Sequence, residues 1–298
     1  MIWCEYGEAR LRLTQCLRLW PTDGETLLLA ARAANRDGDV PEANRLLDAA
    51  RTIAPEDAEL EHLVFRMRMG DMGDTAGMLA ACDSHNDDPQ SKLIMEGLIE
   101  GALQTSQLDL AKSCLTLWDQ TQKEPWDAAQ AAAWRGELAF REGILDVALR
   151  HFREAVEAAP GNEQARLRLA EVLIQYGPAE GKAHLEFLKK KKPDSRDVLI
   201  RLARCHRELG EFEEAAKILD DLLARSNRDI AALIDRGRVA LDIQQIDEAE
   251  QWFRKAETLG PELREVHLGL ARCLHLAGKA TEAQAYREKV VRADEGVQ

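Results

Sequence analysis

Side chains able to pair with charged partners recur along this chain at a regular interval. Arginines stand at 204, 238 and 272, each 34 residues from the next, and glutamates at 100, 137 and 171. Arg32 and Arg66 precede them, so the series runs basic, acidic, basic. A guanidinium stays charged and offers a planar fork of donors that meets a carboxylate bidentately. A row of Arg204, Arg238 and Arg272, with Arg201 and Arg207 near its upper end, would suit an acidic peptide or a chain terminus. Glu100, Glu137 and Glu171 would suit a basic segment, and Phe140, Leu103, Ile174 and Leu241 could supply apolar contact between the charges.

Other chemistries lack their residues. The chain carries no phosphate-binding P-loop, no G-x-S-x-G, no H-E-x-x-H and no dinucleotide fingerprint, so the expectation is a non-catalytic protein without a cofactor. Cys205-His206 and Cys273-x-His275 are the nearest Cys/His clusters, and they lie too far apart in sequence to converge on one zinc ion. No metal site is expected. Six cysteines without a C-x-x-C pattern read as free apolar fillers in a reducing, cytoplasmic setting. The start of the chain leaves an upstream signal or membrane anchor open.

Composition narrows the partner class. The formal net charge is −13, and residues 56–142 alone hold 17 acidic against 7 basic side chains. Nucleic acids and anionic membranes need Lys and Arg to displace counterions, so neither is expected as a ligand. The basic run Lys189–Lys192 reads as a solvated helix C-terminus, where cations complement the dipole. What remains is a protein or peptide partner, acidic where it meets the C-terminal arginines.

The elements that must position these residues show in the prolines. Pro21, Pro55 and Pro89 are 34 residues apart, and Pro160, Pro193 and Pro261 continue nearly in phase. A fixed period of this size marks a stacked-repeat protein. Residues 132–160 display one unit: Ala132, Gly136 and Ala139 share a helical face, Gly143 breaks the helix, Ala148, Phe152 and Ala155 share a second face, and Pro160 stops it. Alanine or glycine at facing positions lets two helix axes approach closely.

This pattern resembles the tetratricopeptide repeat. Leu27, Ala30, Ala31, Ala34, Ala43, Leu47, Ala50 and Pro55 match its preferred positions in one unit. Leu233, Gly237, Ala240, Ala249, Phe253, Ala256 and Pro261 match them in another. Leu202, Ala203, Ala215, Leu219 and Leu222 do so in a third, and Leu270, Ala271, Leu274, Ala283 and Val290 in the last. The resemblance covers nearly all of residues 8–293. It implies an all-α, right-handed superhelical solenoid of antiparallel helix pairs whose first helices line a concave groove. In that family the series Arg32, Arg66, Glu100, Glu137, Glu171, Arg204, Arg238 and Arg272 would face the groove. The family's carboxylate clamp of lysine, asparagine and arginine is not present as a set, since Arg168 and Arg201 match only its arginine.

Departures from the pattern divide the chain. Residues 1–23 read as the second helix of a truncated first repeat, carrying Ala9, Leu13 and Cys16, which leaves self-association through that half-repeat open. Residues 24–123 read as repeats with a degenerate, glycine-rich third unit around Gly70, Gly73 and Gly77. Residues 124–128 read as an irregular insertion and a kink, with Trp126 exposed there, and 129–298 as further repeats ending in a capping helix with Arg287 facing water. The sixth unit, at Tyr176-Gly177-Pro178, is one residue short and calls for a displaced turn. The implied function is an interaction scaffold that holds a partner peptide or helix. The truncated first unit also fits a targeting or regulatory arm of a larger, membrane-anchored enzyme such as a glycosyltransferase or kinase.

Overall fold

The computed structural model describes residues 6–36, 38–84, 89–120 and 125–295. Among these, seventeen α-helices and no strand are present. The chain divides into two compact units, residues 1–168 and 169–298. The division falls inside the stretch that the sequence reads as one run of repeats.

The first unit holds α1 (Tyr6–Leu19), α2 (Gly24–Arg36), α3 (Val40–Arg51), α4 (Pro55–Arg68), α5 (Thr75–Ser84), α6 (Pro89–Gln104), α7 (Leu108–Trp118), α8 (Pro125–Arg141) and α9 (Leu145–Ala158). Helix α10 (Glu163–Tyr176) carries the division between the units. The second unit continues with α11 (Pro178–Lys191), α12 (Arg196–Glu208), α13 (Phe212–Arg225), α14 (Ile230–Asp242), α15 (Ile246–Leu259), α16 (Arg264–Leu276) and α17 (Ala280–Glu295). Helices pack in sequential pairs: α2 with α3, α6 with α7, α8 with α9, α12 with α13, α14 with α15, α16 with α17. The first helices of successive pairs also touch one another. Helices α2, α4, α6 and α8 form one such row and α12, α14 and α16 the other.

The expected core positions are buried. Ala30, Ala31 and Ala34 of α2 meet Ala43, Leu47 and Ala50 of α3. Gly237 and Ala240 of α14 lie in the same packed region as Ala249, Phe253 and Ala256 of α15, which are wholly buried. No pair closes a core alone, because each apolar stripe is completed by the next pair, as a stacked array requires.

The turn within each pair has one conformational demand. Gly38, Gly143, Gly210 and Gly278 occupy equivalent places and all have φ between 75° and 82°. Glycine adopts this left-handed backbone without a Cβ clash. Ser106 and Gln244 hold the same place in their repeats at φ 59° and 62°. An L-residue there is strained, so Gln244→Gly is expected to stabilise the second unit by about 0.5–1 kcal/mol. A shift of the urea midpoint to higher concentration at constant slope is the check.

Three features of the repeat boundaries and irregular units stand out. Pro55 and Pro89 do not end a helix but begin the next, as the first residues of α4 and α6. Proline is preorganised for a first turn, where its missing N–H has no partner to lose. Residues 125–128, expected to be irregular, are helical, because Pro125 starts α8 in the same way. The neighbouring 121–124 and the side chain of Trp126 lie outside the described residues. In the third unit α5 spans only ten residues and packs on α6, and α4 packs on α6 as well. Gly70 and Gly73 both take positive φ between them, which breaks the usual short turn. Gly177 is extended, at φ −166°, so the turn of the sixth unit does differ from the others.

Candidate functional site

The two rows of first helices carry the charge series. In the first unit Arg32 of α2 donates to Glu61 of α4, Nε to Oε1 at 3.0 Å. Glu100 of α6 is clasped by Arg36 of α2 at 3.4 Å and Arg68 of α4 at 2.5 Å. Glu96, one turn earlier on α6, meets Arg36 at 3.0 Å and Arg68 at 3.5 Å. Burial pushes the Glu96 carboxyl up, with the Glu100 charge adding to the effect. Burial acts on Glu100 in the same sense, but the charges of Arg36 and Arg68 outweigh it and hold that carboxyl below the ordinary range. Arg66 is exposed and paired with Asp71 of the following turn.

A regular rule governs the pairing further on. Glu137 of α8 takes Arg168 of α10 at 3.0 Å, and Arg141 at 2.8 Å from its own helix. Phe140 lies half-buried beneath the Arg168 guanidinium, 5.9 Å from its ring centre. In the second unit Glu171 of α10 takes Arg201 of α12 at 3.2 Å. Arg204 of α12 takes Asp235 of α14 at 2.6 Å. Glu137, Glu171 and Arg204 therefore each pair with a residue 30 or 31 positions later in the next first helix. The sign inverts between Glu171 and Arg204, yet the pairing stays the same. These side chains clamp neighbouring repeats. Desolvation offsets much of the attraction in such pairs.

The rule stops at α16. Arg238 should meet the equivalent of Asp235 on α16, but that place is Gly269, so Arg238 turns back to Asp235 on its own helix at 2.9 Å. One carboxylate, almost wholly buried, thus serves two guanidiniums. Arg272 of α16 is exposed and has no ion-pair partner among the described residues. Leu268 and Leu276, one turn to either side of Arg272, are 41% and 54% exposed. Arg207 is taken up by Glu208 and by Asp242 at 3.5 Å. Leu103 and Leu241 are buried in the core, so neither supplies apolar contact on a surface.

The remaining candidates divide cleanly. Trp118 and Trp134 pack edge to face at 5.1 Å inside the first unit, whereas Trp20, with Leu11 and Leu19 of α1, is exposed. Among the described residues no group of His, Cys, Asp or Glu is placed to hold a metal ion. The described cysteines are free, and burial pushes the thiols of Cys114 and Cys205 up to about 12 and that of Cys273 to about 11. Thiols so held are poor nucleophiles. Among the described residues no helix is long and apolar enough to cross a membrane.

The sequence reading missed the partners Glu61, Glu96 and Asp235. Asp235 was discoverable, because opposite charges recur 30 to 31 residues apart at 137/168, 171/201 and 204/235.

Comparison with known proteins bears on the architecture. Models of the tetratricopeptide repeat match residues 115–163, 178–235 and 234–296. The chain is 25% identical over 274 residues to cellulose synthase operon protein C of Pseudomonas fluorescens (strain SBW25), covering 85% of this chain and 21% of that protein. It is 22% identical over 161 residues to protein O-mannosyl-transferase TMTC1 of Homo sapiens, covering 52% of this chain and 18% of that protein. The chain thus spans about a fifth of the length of the curated relatives it matches. Among solved structures, a thermophilic TPR protein of Thermus thermophilus is similar at a TM-score of 0.50 and 22% identity, covering 56% of this chain and 91% of that one. With the matched repeats, the sequential helix pairs and the recurring left-handed turn all in register, this chain belongs to the tetratricopeptide repeat family.

Proposed function

We propose that the chain is a non-catalytic interaction scaffold that takes an acidic peptide or helix of a partner protein along α12, α14 and α16. The supporting observation is a surplus of positive charge at one end of that row. Arg204 and Arg238 share a single carboxylate, and Arg272 has none among the described residues. In a chain of net charge −13, this is a local cationic surface flanked by the exposed Leu268 and Leu276. An acidic segment with apolar side chains would meet both features. The surplus narrows the arginine row to Arg238, which has only a share of Asp235, and Arg272, because Arg201 and Arg207 already hold carboxylates and Arg204 takes Asp235 across the repeat boundary. Glu100, Glu137 and Glu171 are likewise engaged, which argues against a basic ligand on the middle helices.

The test is a pull-down from the source lysate with wild type and the Arg238→Glu/Arg272→Glu variant, both checked for helicity by circular dichroism. Capture of a partner by wild type and its loss in the variant is expected. Equal capture by both would overturn the site. Arg204 is left intact because its removal would strip Asp235 of its inter-repeat partner.

A second reading, that this chain is the repeat arm of a larger enzyme, draws on the length of its curated relatives, one of which is named as a transferase. An antibody against the chain that detects a band near 33.4 kDa, rather than one several times larger, would remove that reading.

A further inference from the structure

A cavity of about 680 Å³ opens in the second unit, away from the charge row, where the ends of α13 and α15 meet the loop before α14. Leu223, Leu233, Leu259 and Trp252 make its apolar walls, and Arg228 and Lys255 are its charged residues. Among the described residues no carboxylate lines it. Volume and lining fit a pocket that buries a few side chains of a ligand and fixes them with a small number of polar groups.

Both cations are without a carboxylate partner among the described residues, and the structure accounts for this. Asp229, next to Arg228 in sequence, is held bidentately by Arg196 at 2.6 and 2.7 Å and also accepts from the Ala232 N–H at 3.2 Å. Arg225 takes Asp194 at 2.7 Å. Arg236 takes Asp220 at 2.9 Å and Glu248 at 2.8 Å. The nearby acids are therefore spent on other arginines. Lys255 is placed by the indole instead: its ammonium sits 4.1 Å from the centre of the Trp252 ring. The Trp252 N–H is itself fixed by Glu248 at 3.1 Å, so the ring is a rigid support. Cation–π contact positions a charge without neutralising it.

We propose that this cavity is a second docking site, for a short acidic segment of a partner polypeptide that brings one apolar side chain. The apolar group enters between Leu223, Leu233 and Leu259, and a carboxylate on either side meets Arg228 and Lys255. Two cations are too few to hold a nucleic-acid backbone, whose affinity rests on many phosphate contacts. The site is independent of the α12, α14 and α16 surface and would bring a second partner, or a second segment of the same one, to the scaffold.

The experiment uses the full chain and a phage-displayed library of random dodecapeptides, with selected peptides resynthesised and their affinities measured by fluorescence anisotropy. Peptides that combine Asp or Glu with Leu or Phe are expected. Their binding should weaken about a hundredfold in Arg228→Glu/Lys255→Glu, since two charge-assisted contacts are lost and each is worth roughly tenfold. It should persist in Arg238→Glu/Arg272→Glu. Lys255→Arg keeps the charge over the ring and should retain most of the affinity. Failure to select any acidic peptide, or selection of peptides insensitive to Arg228 and Lys255, overturns the proposal. Peptides lost only with Arg238 and Arg272 would also overturn it while supporting the other surface.

Discussion

Phe253→Ala is expected to cost the second unit about 3–5 kcal/mol, the range for removing a fully buried aromatic ring. The ring has no exposure to solvent, and it is a wedge between repeats. Gly237 of α14 and Gly269 of α16 both face it, so closely that a Cβ on either would strike the ring. The same geometry places the cost at the upper end of the range. A cavity is cheapest when neighbouring side chains can fold into it, and here two of the neighbours have none. Hydrogen exchange of the α14 and α16 amides is the local readout, because repeat arrays open piecewise. Protection lost in both helices is expected. A change below about 1 kcal/mol would show that the wedge is not what joins these repeats.

Glu100→Ala is expected to cost about 3 kcal/mol, as for removal of one partner from a buried ionic group. Arg36 and Arg68 are only 14% and 9% exposed, and without Glu100 they crowd on the single remaining carboxylate of Glu96. Glu96→Gln should cost much less, since it removes a charge that burial disfavours. The pH dependence separates the two. Glu96, raised above its ordinary 4.5, lowers stability when ionised, so a fall from pH 7 toward 4.5 relieves that cost. Glu100, held lower, contributes stability that is present above 4.5 and lost as pH falls through its folded value. Melting temperatures between pH 7 and 3 should therefore rise and then drop. Glu96→Gln should flatten the rise and Glu100→Gln the drop. An unchanged profile in both variants would mean that the cluster carries no proton linkage.

The helix pairs were legible because they are local. Small residues at fixed places, a turn residue in a left-handed conformation in most units and a proline near most boundaries repeat about every 34 positions, so neighbouring units reinforce one reading. Ala30, Ala31, Ala34 and Phe253 could be assigned to the core from spacing alone, since helical periodicity decides which face a residue shares. The prolines were harder. Pro160 and Pro261 follow a helix and Pro55 opens one, and the difference lies in a residue or two of loop length.

By itself the sequence determined the fold family, the repeat length and which residues stand at equivalent places in successive helices. Only the tertiary structure decided what the charges at those places do. Arg204 and Arg272 occupy the same repeat position, yet one holds a buried aspartate and the other has no carboxylate among the described residues, because a charge takes its role from whatever the next helix presents. Asp235 is presented to Arg204, and Gly269 leaves Arg238 without an equivalent. The cavity at Arg228 and Lys255 arises in the same way, from four apolar side chains on the three helices α13, α14 and α15 and from acids already committed elsewhere. Periodicity is a property of the chain, whereas pairing and cavities depend on distances between segments that only packing sets.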